Sequence, residues 1–171
     1  ILSHLAAHHL VETCGGLGLF ATLAQTRGWD SHVVCDISPE SISYINSLGL
    51  PVQTLLGDAT SSLVQHKWLP QTATIVDYPM FTLLTLREAM DWRTRLFEYL
   101  KRARPEYLCF ADTANTKWHL NAGHYSRHLG TSSLDSYYSR YTVEYPGYKL
   151  LGVDSFRTKG GGGAHVVLSR V

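Results

Sequence analysis

Glu12, Gly16 and Gly18 stand in the spacing acid-x-x-x-Gly-x-Gly, inside the run Glu12-Thr13-Cys14-Gly15-Gly16-Leu17-Gly18. Three more acids follow, Asp36, Asp58 and Asp77, at successive separations of 24, 22 and 19 residues. Each residue type has a definite chemistry to offer. Glycines let the backbone approach a ligand closely and open a following helix. A carboxylate at position 36 is placed to accept both hydroxyls of a ribose. Gly57-Asp58-Ala59 could take the exocyclic amine of a purine, and Asp77-Tyr78-Pro79 could hold an acceptor group. Each has a plain structural reading too. A lone Gly-x-Gly is common in turns, and Asp58 could simply cap a helix beginning near Thr60. Regular spacing of all four acids is harder to obtain from unrelated caps.

The elements that must position these residues alternate between strand and helix. Residues 9–13 (HLVET) form a short strand, and Leu19, Phe20, Leu23 and Ala24 give helical spacing directly after the glycines. Arg27-Gly28 ends that helix with a basic last turn and a terminal glycine. SHVVCD (31–36) is the second strand. Ser38-Pro39-Glu40 starts the second helix, with Ile42, Ile45 and Leu48 toward the core and Gly49 closing it. PVQTLL (51–56) and TATIVD (72–77) are the third and fourth strands. A long amphipathic helix within 81–103 carries Leu83, Leu86, Met90, Phe97 and Leu100 on one face. Its other face is basic, with Arg87, Arg93, Arg95, Lys101 and Arg102, a pattern that most often means a solvated surface. EYLCFAD (106–112) is strand five, and 148–156 and 164–171 form a closing hairpin around the flexible loop RTKGGGG. The expected architecture is α/β: a doubly wound, mostly parallel seven-stranded sheet with helices on both faces and an antiparallel last strand. In such sheets ligands sit at the carboxyl ends of the strands, where strand order reverses. All four acids fall there.

In this order of elements and motifs the chain resembles the class I S-adenosylmethionine-dependent methyltransferases, over most of its length. Glu12, Gly16 and Gly18 match the acid and glycines of that family's first motif. Asp36 matches its ribose-binding acid, and Asp58 with Ala59 its adenine-contacting position. Asp77-Tyr78-Pro79-Met80 falls where many members carry Asp/Asn-Pro-Pro-Tyr/Phe, with Met80 in place of the usual aromatic and Phe81 one residue later. The resemblance implies S-adenosylmethionine as cofactor, with Asp77 and Pro79 in the catalytic motif. A nicotinamide-dependent oxidoreductase competes, because Gly16 to Ala21 also satisfies Gly-x-Gly-x-x-Gly/Ala and Asp36 lies 18 residues past Gly18. Against it, a pyrophosphate beside Glu12 would be repelled, whereas a cationic sulfonium and amino group would not.

Methyl transfer is a direct displacement, so the protein mainly positions the nucleophile in line with the methyl. For an amine acceptor, Asp77 would accept one N–H, and the Tyr78 or Pro79 carbonyl the other. Lys117 occupies a place like that of the lysine in ribose 2′-O-methyltransferases, with Glu144 as a partner. A surface lysine is the simpler explanation. Residues 113–145 form a candidate substrate-facing cap within a single domain spanning 1–171. Trp118, Arg127, Tyr137 and Arg140 there, with Tyr78 and Lys117, suit stacking on unpaired nucleotides and phosphate contacts. Tyrosines packed on the sheet are the alternative. His4/His8 and His124/His128 stand at i, i+4 without a third ligand, so no metal is expected. No Gly-x-Ser-x-Gly supports nucleophilic hydrolysis.

The whole chain of 171 residues has a net charge of +1, 44% hydrophobic residues and 17% charged ones. It can bury a core, and neither disorder nor a bulk polycation fits. The balance is a sum of opposites: residues 1–77 hold two bases and six acids, residues 78–171 thirteen bases and eight acids. The acidic half suits a cationic cofactor, the basic half an anionic substrate. Cys14, Cys35 and Cys109 lie in apolar runs as expected buried thiols, too few for a disulfide framework, which points to a reducing compartment inside the cell (cytoplasm or organelle matrix). No apolar stretch approaches the roughly 18 residues of a membrane span. The chain opens on Ile1 rather than Met, as expected of a trimmed or partial sequence, and carries no signal peptide. The expected function is methyl transfer to a nucleic acid, more readily RNA, at an exocyclic amine. The alternative is a catalytically inactive subunit of the same fold, serving as scaffold or RNA-binding part of a larger assembly.

Overall fold

A computed structural model describes residues 5–63, 70–77, 86–112, 145–158 and 161–171. Its elements run β1 (His9–Glu12), α1 (Leu19–Ala24), β2 (Ser31–Asp36), α2 (Pro39–Ser47), β3 (Gln53–Leu56), α3 (Ala59–Ser62), β4 (Thr72–Asp77), α4 (Leu86–Ala103), β5 (Tyr107–Asp112), β6 (Tyr148–Thr158) and β7 (Gly161–Arg170). The seven strands form one sheet in the order β3-β2-β1-β4-β5-β7-β6. β1 to β5 pair in parallel, and β7 runs antiparallel between β5 and β6. Strand order reverses between β1 and β4, which opens a crevice at their carboxyl ends.

Apolar strand residues explain the layering. Leu10, Ala73, Cys109 and Val167 form one buried cluster with Leu5, Ala7 and Ala24, while Val34 packs with Ala21 and Ile45. Leu96, Tyr99 and Leu100 of α4 are buried with Leu63, and the Tyr99 hydroxyl donates to the Leu63 carbonyl at 2.7 Å. Ser38 caps α2 by accepting the Ser41 N–H, with Pro39 in the first turn as expected.

Several local expectations change. Of the four residues at helical spacing, Ala24 is buried and Phe20 packs partly buried against the same cluster, while Leu19 and Leu23 are exposed and Ala21 is buried beside Val34. Small residues let α1 approach Val34 and Ile45 closely. Leu48 sits at the end of α2, partly exposed rather than in the core. Arg27 does not belong to the last turn of α1, which stops at Ala24 with Gln25 as its cap. Its guanidinium donates to the Leu5 and Ala7 carbonyls and lies 4.5 Å over the Trp29 ring, so it ties down the entering chain. The glycines at 161–163 are not loop: β6 and β7 stay paired down to Thr158 opposite Gly161. Cys14 is half-buried rather than buried. Cys35 and Cys109 are buried, and burial pushes their thiols up to about 11 and about 12. Of the helix expected over 81–103, residues 81–85 with Leu83 lie outside the described residues, and Leu86, Met90 and Phe97 are described by backbone alone.

Candidate functional site

The turn after β1 is shaped by three glycines with separate reasons. Gly16 and Gly18 take φ of +51° and +70°, where a side chain is strained. Gly15 has ordinary φ, but a Cβ there would lie 2.2 Å from Val34 Cγ1. Nothing lies within 4 Å of the Cβ position of Gly16, so the turn is open on that side.

Asp36 holds this turn in place. Its Oδ2 accepts the Gly16 N–H at 2.7 Å and its Oδ1 the Ser38 N–H at 2.9 Å. The backbone adds Gly15 N–H to the Cys35 carbonyl at 2.9 Å and Gly57 N–H to the Asp36 carbonyl at 2.8 Å. The carboxyl ends of β1, β2 and β3 are thereby fastened together. An ionised carboxylate offers about four lone-pair directions, so each oxygen of Asp36 keeps acceptor capacity for a ligand hydroxyl.

Glu12 is 1% exposed. Its Oε1 lies 2.5 Å from Nε2 of His32, which is also buried. Oε2 of Glu12 and Nδ1 of His32 have no hydrogen-bond partner among the described residues. Burial pushes the Glu12 carboxyl up, opposed by the hydrogen bond and charge of His32. A raised carboxyl means that the folded chain keeps its proton where the unfolded chain has lost it. The resulting stability is present at low pH and declines as pH climbs through the raised value. Glu12→Gln should therefore gain on the wild type more at pH 8 than at pH 5 in urea-unfolding midpoints. Parallel pH profiles would contradict this.

Asp58 takes the structural role open to it. It caps α3, its Oδ1 accepting from the Thr60 N–H at 2.7 Å and hydroxyl at 2.5 Å, and its Oδ2 lies 3.2 Å from Arg95 Nη1. Ala59 beside it is buried.

No protein-family model and no curated protein matches the chain. Solved structures do, at low identity. A proposed RNA methyltransferase from Pyrococcus horikoshii superposes with a TM-score of 0.66 at 10% identity, covering 99% of this chain and 78% of that one. The N-methyltransferase NodS from Bradyrhizobium japonicum gives 0.67 at 12% identity, covering 99% and 89%. An S-adenosylmethionine-dependent methyltransferase from Anabaena variabilis gives 0.64 at 10%, covering 99% and 78%. The chain has the class I methyltransferase fold.

Within that methyltransferase fold, the structure brings Glu12, Gly16, Gly18, Asp36 and Asp58 to the carboxyl ends of β1, β2 and β3, as the sequence spacing required. Asp77 ends β4 on the far side of the switch point, two residues beyond the Ile75 that pairs with Glu12. Tyr78, Pro79, Lys117, Trp118, Arg127, Tyr137, Arg140 and Glu144 lie outside the described residues, as do His4, His124 and His128. His8 pairs with Asp30 at 3.2 Å. Among the described residues no group of three or more His, Cys, Asp or Glu could hold a metal. No helix among them is long and apolar enough to cross a membrane.

Sequence reasoning missed His32 and Arg95 as partners of the two acids. It also missed Leu17 and Ile37, which are 75% and 73% exposed beside Gly16 and Asp36. Ile37 had a signal: an isoleucine directly after the last residue of a buried strand has nowhere in the core to go.

Proposed function

We propose that the chain transfers a methyl group from S-adenosylmethionine to a nucleic acid, more readily RNA than DNA. The observation that carries the reading is the Asp36 lock, a strand-end carboxylate fixing an open glycine turn beside two exposed apolar side chains. Apolar faces at Leu17 and Ile37 suit a purine ring, and Asp36 suits the ribose hydroxyls next to it. The Oε2 of buried Glu12, without a partner among the described residues, favours a cationic ligand head over a pyrophosphate. Asp77 and Pro79 would hold the acceptor, with Tyr78, Lys117, Trp118, Arg127, Tyr137 and Arg140 toward the substrate. The basic second half supports an anionic substrate, as does the likeness to the Pyrococcus protein, itself described only as a proposed RNA methyltransferase. Removing Asp36 releases the Gly16 N–H as well as the ribose contact. Asp36→Ala should weaken S-adenosylmethionine binding by at least roughly tenfold, the scale of one charge-assisted hydrogen bond. Incubation with tritium-methyl-labelled S-adenosylmethionine and separate RNA, DNA and protein pools tests the reaction. Label in RNA is expected. Cofactor binding with no label in any pool would overturn the catalytic reading in favour of an inactive subunit of this fold.

A further inference from the structure

A histidine inside an apolar strand needs a reason. Val33, Val34 and Cys35 of β2 are buried, and His32 is buried with them. Its Nε2 meets Glu12 Oε1 at 2.5 Å, across the parallel pairing that sets Leu10 opposite His32 and Glu12 opposite Val34. The two side chains are 2% and 1% exposed. Nδ1 of His32 and Oε2 of Glu12 are left without a hydrogen-bond partner among the described residues. Orphaned buried polar atoms cost stability, and apolar residues of similar size would hold this core at least as well. Packing therefore does not account for the pair.

Its position does. Glu12 is the last residue of β1, and the glycine turn begins three residues later. Few titratable groups surround it. On β2, Asp36 lies four residues past His32 on the same face, bound by the Gly16 and Ser38 N–H groups. On β4, Ile75 stands opposite Glu12, and Asp77 follows two residues on. On β5, Cys109 stands opposite Ile75, and burial keeps its thiol neutral. The helix α1, packed on Leu10 and Val34, carries no titratable residue, and α2 carries Glu40 and Tyr44, both exposed. Arg27, after α1, is committed to the Leu5 and Ala7 carbonyls. Of these groups, His32 is the one whose hydrogen bond and charge act on the Glu12 carboxyl, against the burial that pushes it up. Burial alone would leave a neutral acid beneath the turn, with no preference for a cation.

Resting on the methyl-transfer reading above, we propose that His32 is a positioning residue of the cofactor site: it holds Glu12 ready to ionise, and a cationic ligand head drives the carboxyl proton out to solvent. Recognition of the amino-acid head of S-adenosylmethionine is then coupled to a proton. A nucleoside without that head leaves the proton where it is. By linkage, binding releases up to one proton and tightens with rising pH, by at most about tenfold per pH unit.

The test uses the full chain. Carbon-13 NMR of glutamate-labelled protein follows the Glu12 carboxyl without ligand, assigned by its loss in Glu12→Gln. It should titrate above the ordinary carboxylate range, and higher still in His32→Gln, which keeps an amide donor but no charge. Calorimetry runs between pH 5 and 7.5, below the α-amino titration at about 7.7–8.0, in two buffers of unlike ionisation heat that count released protons. S-adenosylmethionine should release protons and bind at least roughly tenfold tighter at the upper pH than at the lower. 5′-Methylthioadenosine has the same adenine, the ribose assigned to Asp36 and a sulfur, but no amino-acid head, and should do neither. His32→Gln should weaken S-adenosylmethionine at pH 6.5 at least roughly tenfold and leave 5′-methylthioadenosine within a few-fold. A histidine that only supports the fold would weaken both alike. Equal losses for the two ligands, equal proton release by them, or a Glu12 titration indifferent to His32 overturns the proposal. Should His32→Gln fail to fold, the comparison of the two ligands on the wild type decides. Failure of the wild type to bind S-adenosylmethionine overturns the reading beneath it.

Discussion

Asp77→Ala is expected to lower methyl transfer by roughly a hundredfold or more while leaving S-adenosylmethionine affinity within a few-fold. Asp77 is the last residue of β4 and lies across the switch point from the glycine turn. The cofactor contacts assigned above come from the ends of β1, β2 and β3, so losing Asp77 leaves them standing. What is lost is placement of the acceptor in line with the methyl, and a misplacement of about 1 Å costs on the order of a hundredfold in rate. Tritium transfer and calorimetry on the same preparation separate the two effects. Equal losses of rate and affinity would make Asp77 structural.

Gly15→Ala should damage both stability and cofactor binding, more than Gly16→Ala does to stability. The added methyl at position 15 would meet Val34 Cγ1 at 2.2 Å and Ile45 Cδ1 at 3.2 Å, both in the packed layer between β2 and α2. Overpacking of that kind costs about 1–3 kcal/mol, and relief requires moving the turn away from Cys35, whose carbonyl holds the Gly15 N–H. Moving the turn also pulls Gly16 off Asp36. Gly16→Ala meets open space, and its φ of +51° costs about 1–2 kcal/mol in strain. Urea unfolding should rank Gly15→Ala below Gly16→Ala, which in turn falls below wild type. The reverse order would contradict the packing described for the turn.

The fold was largely legible because each strand of the parallel half is a short apolar run ended by an acid or a glycine, and the second and fourth strands fall at 31–36 and 72–77 as read. The glycine turn was legible for the same local reason. Phase was harder. A six-residue helix such as α1 is too short for periodicity to fix its buried face: Ala24 and Phe20 pack on the sheet as read, but Ala21 takes the place against Val34 and Ile45 while Leu19 and Leu23 stay exposed. The glycine run at 161–163 looked like a loop, yet backbone pairing with β6 needs no side chains and extends through it. Partners distant in sequence left no local mark. His32 lies 20 residues from Glu12, and Arg95 far from Asp58, so the pairs emerge only when β1 meets β2 and α3 meets α4. The register irregularity in β6 between Leu150 and Gly152 is a product of pairing, though Gly152 inside the strand run is a local mark of it.

The cofactor assignment is tested most directly by titrating the chain with S-adenosylmethionine and with S-adenosylhomocysteine in a calorimeter, beside Asp36→Ala. Saturable one-to-one binding of both, weakened at least roughly tenfold in Asp36→Ala, is the predicted result. Absence of binding by either compound, from a protein that unfolds cooperatively, would contradict it.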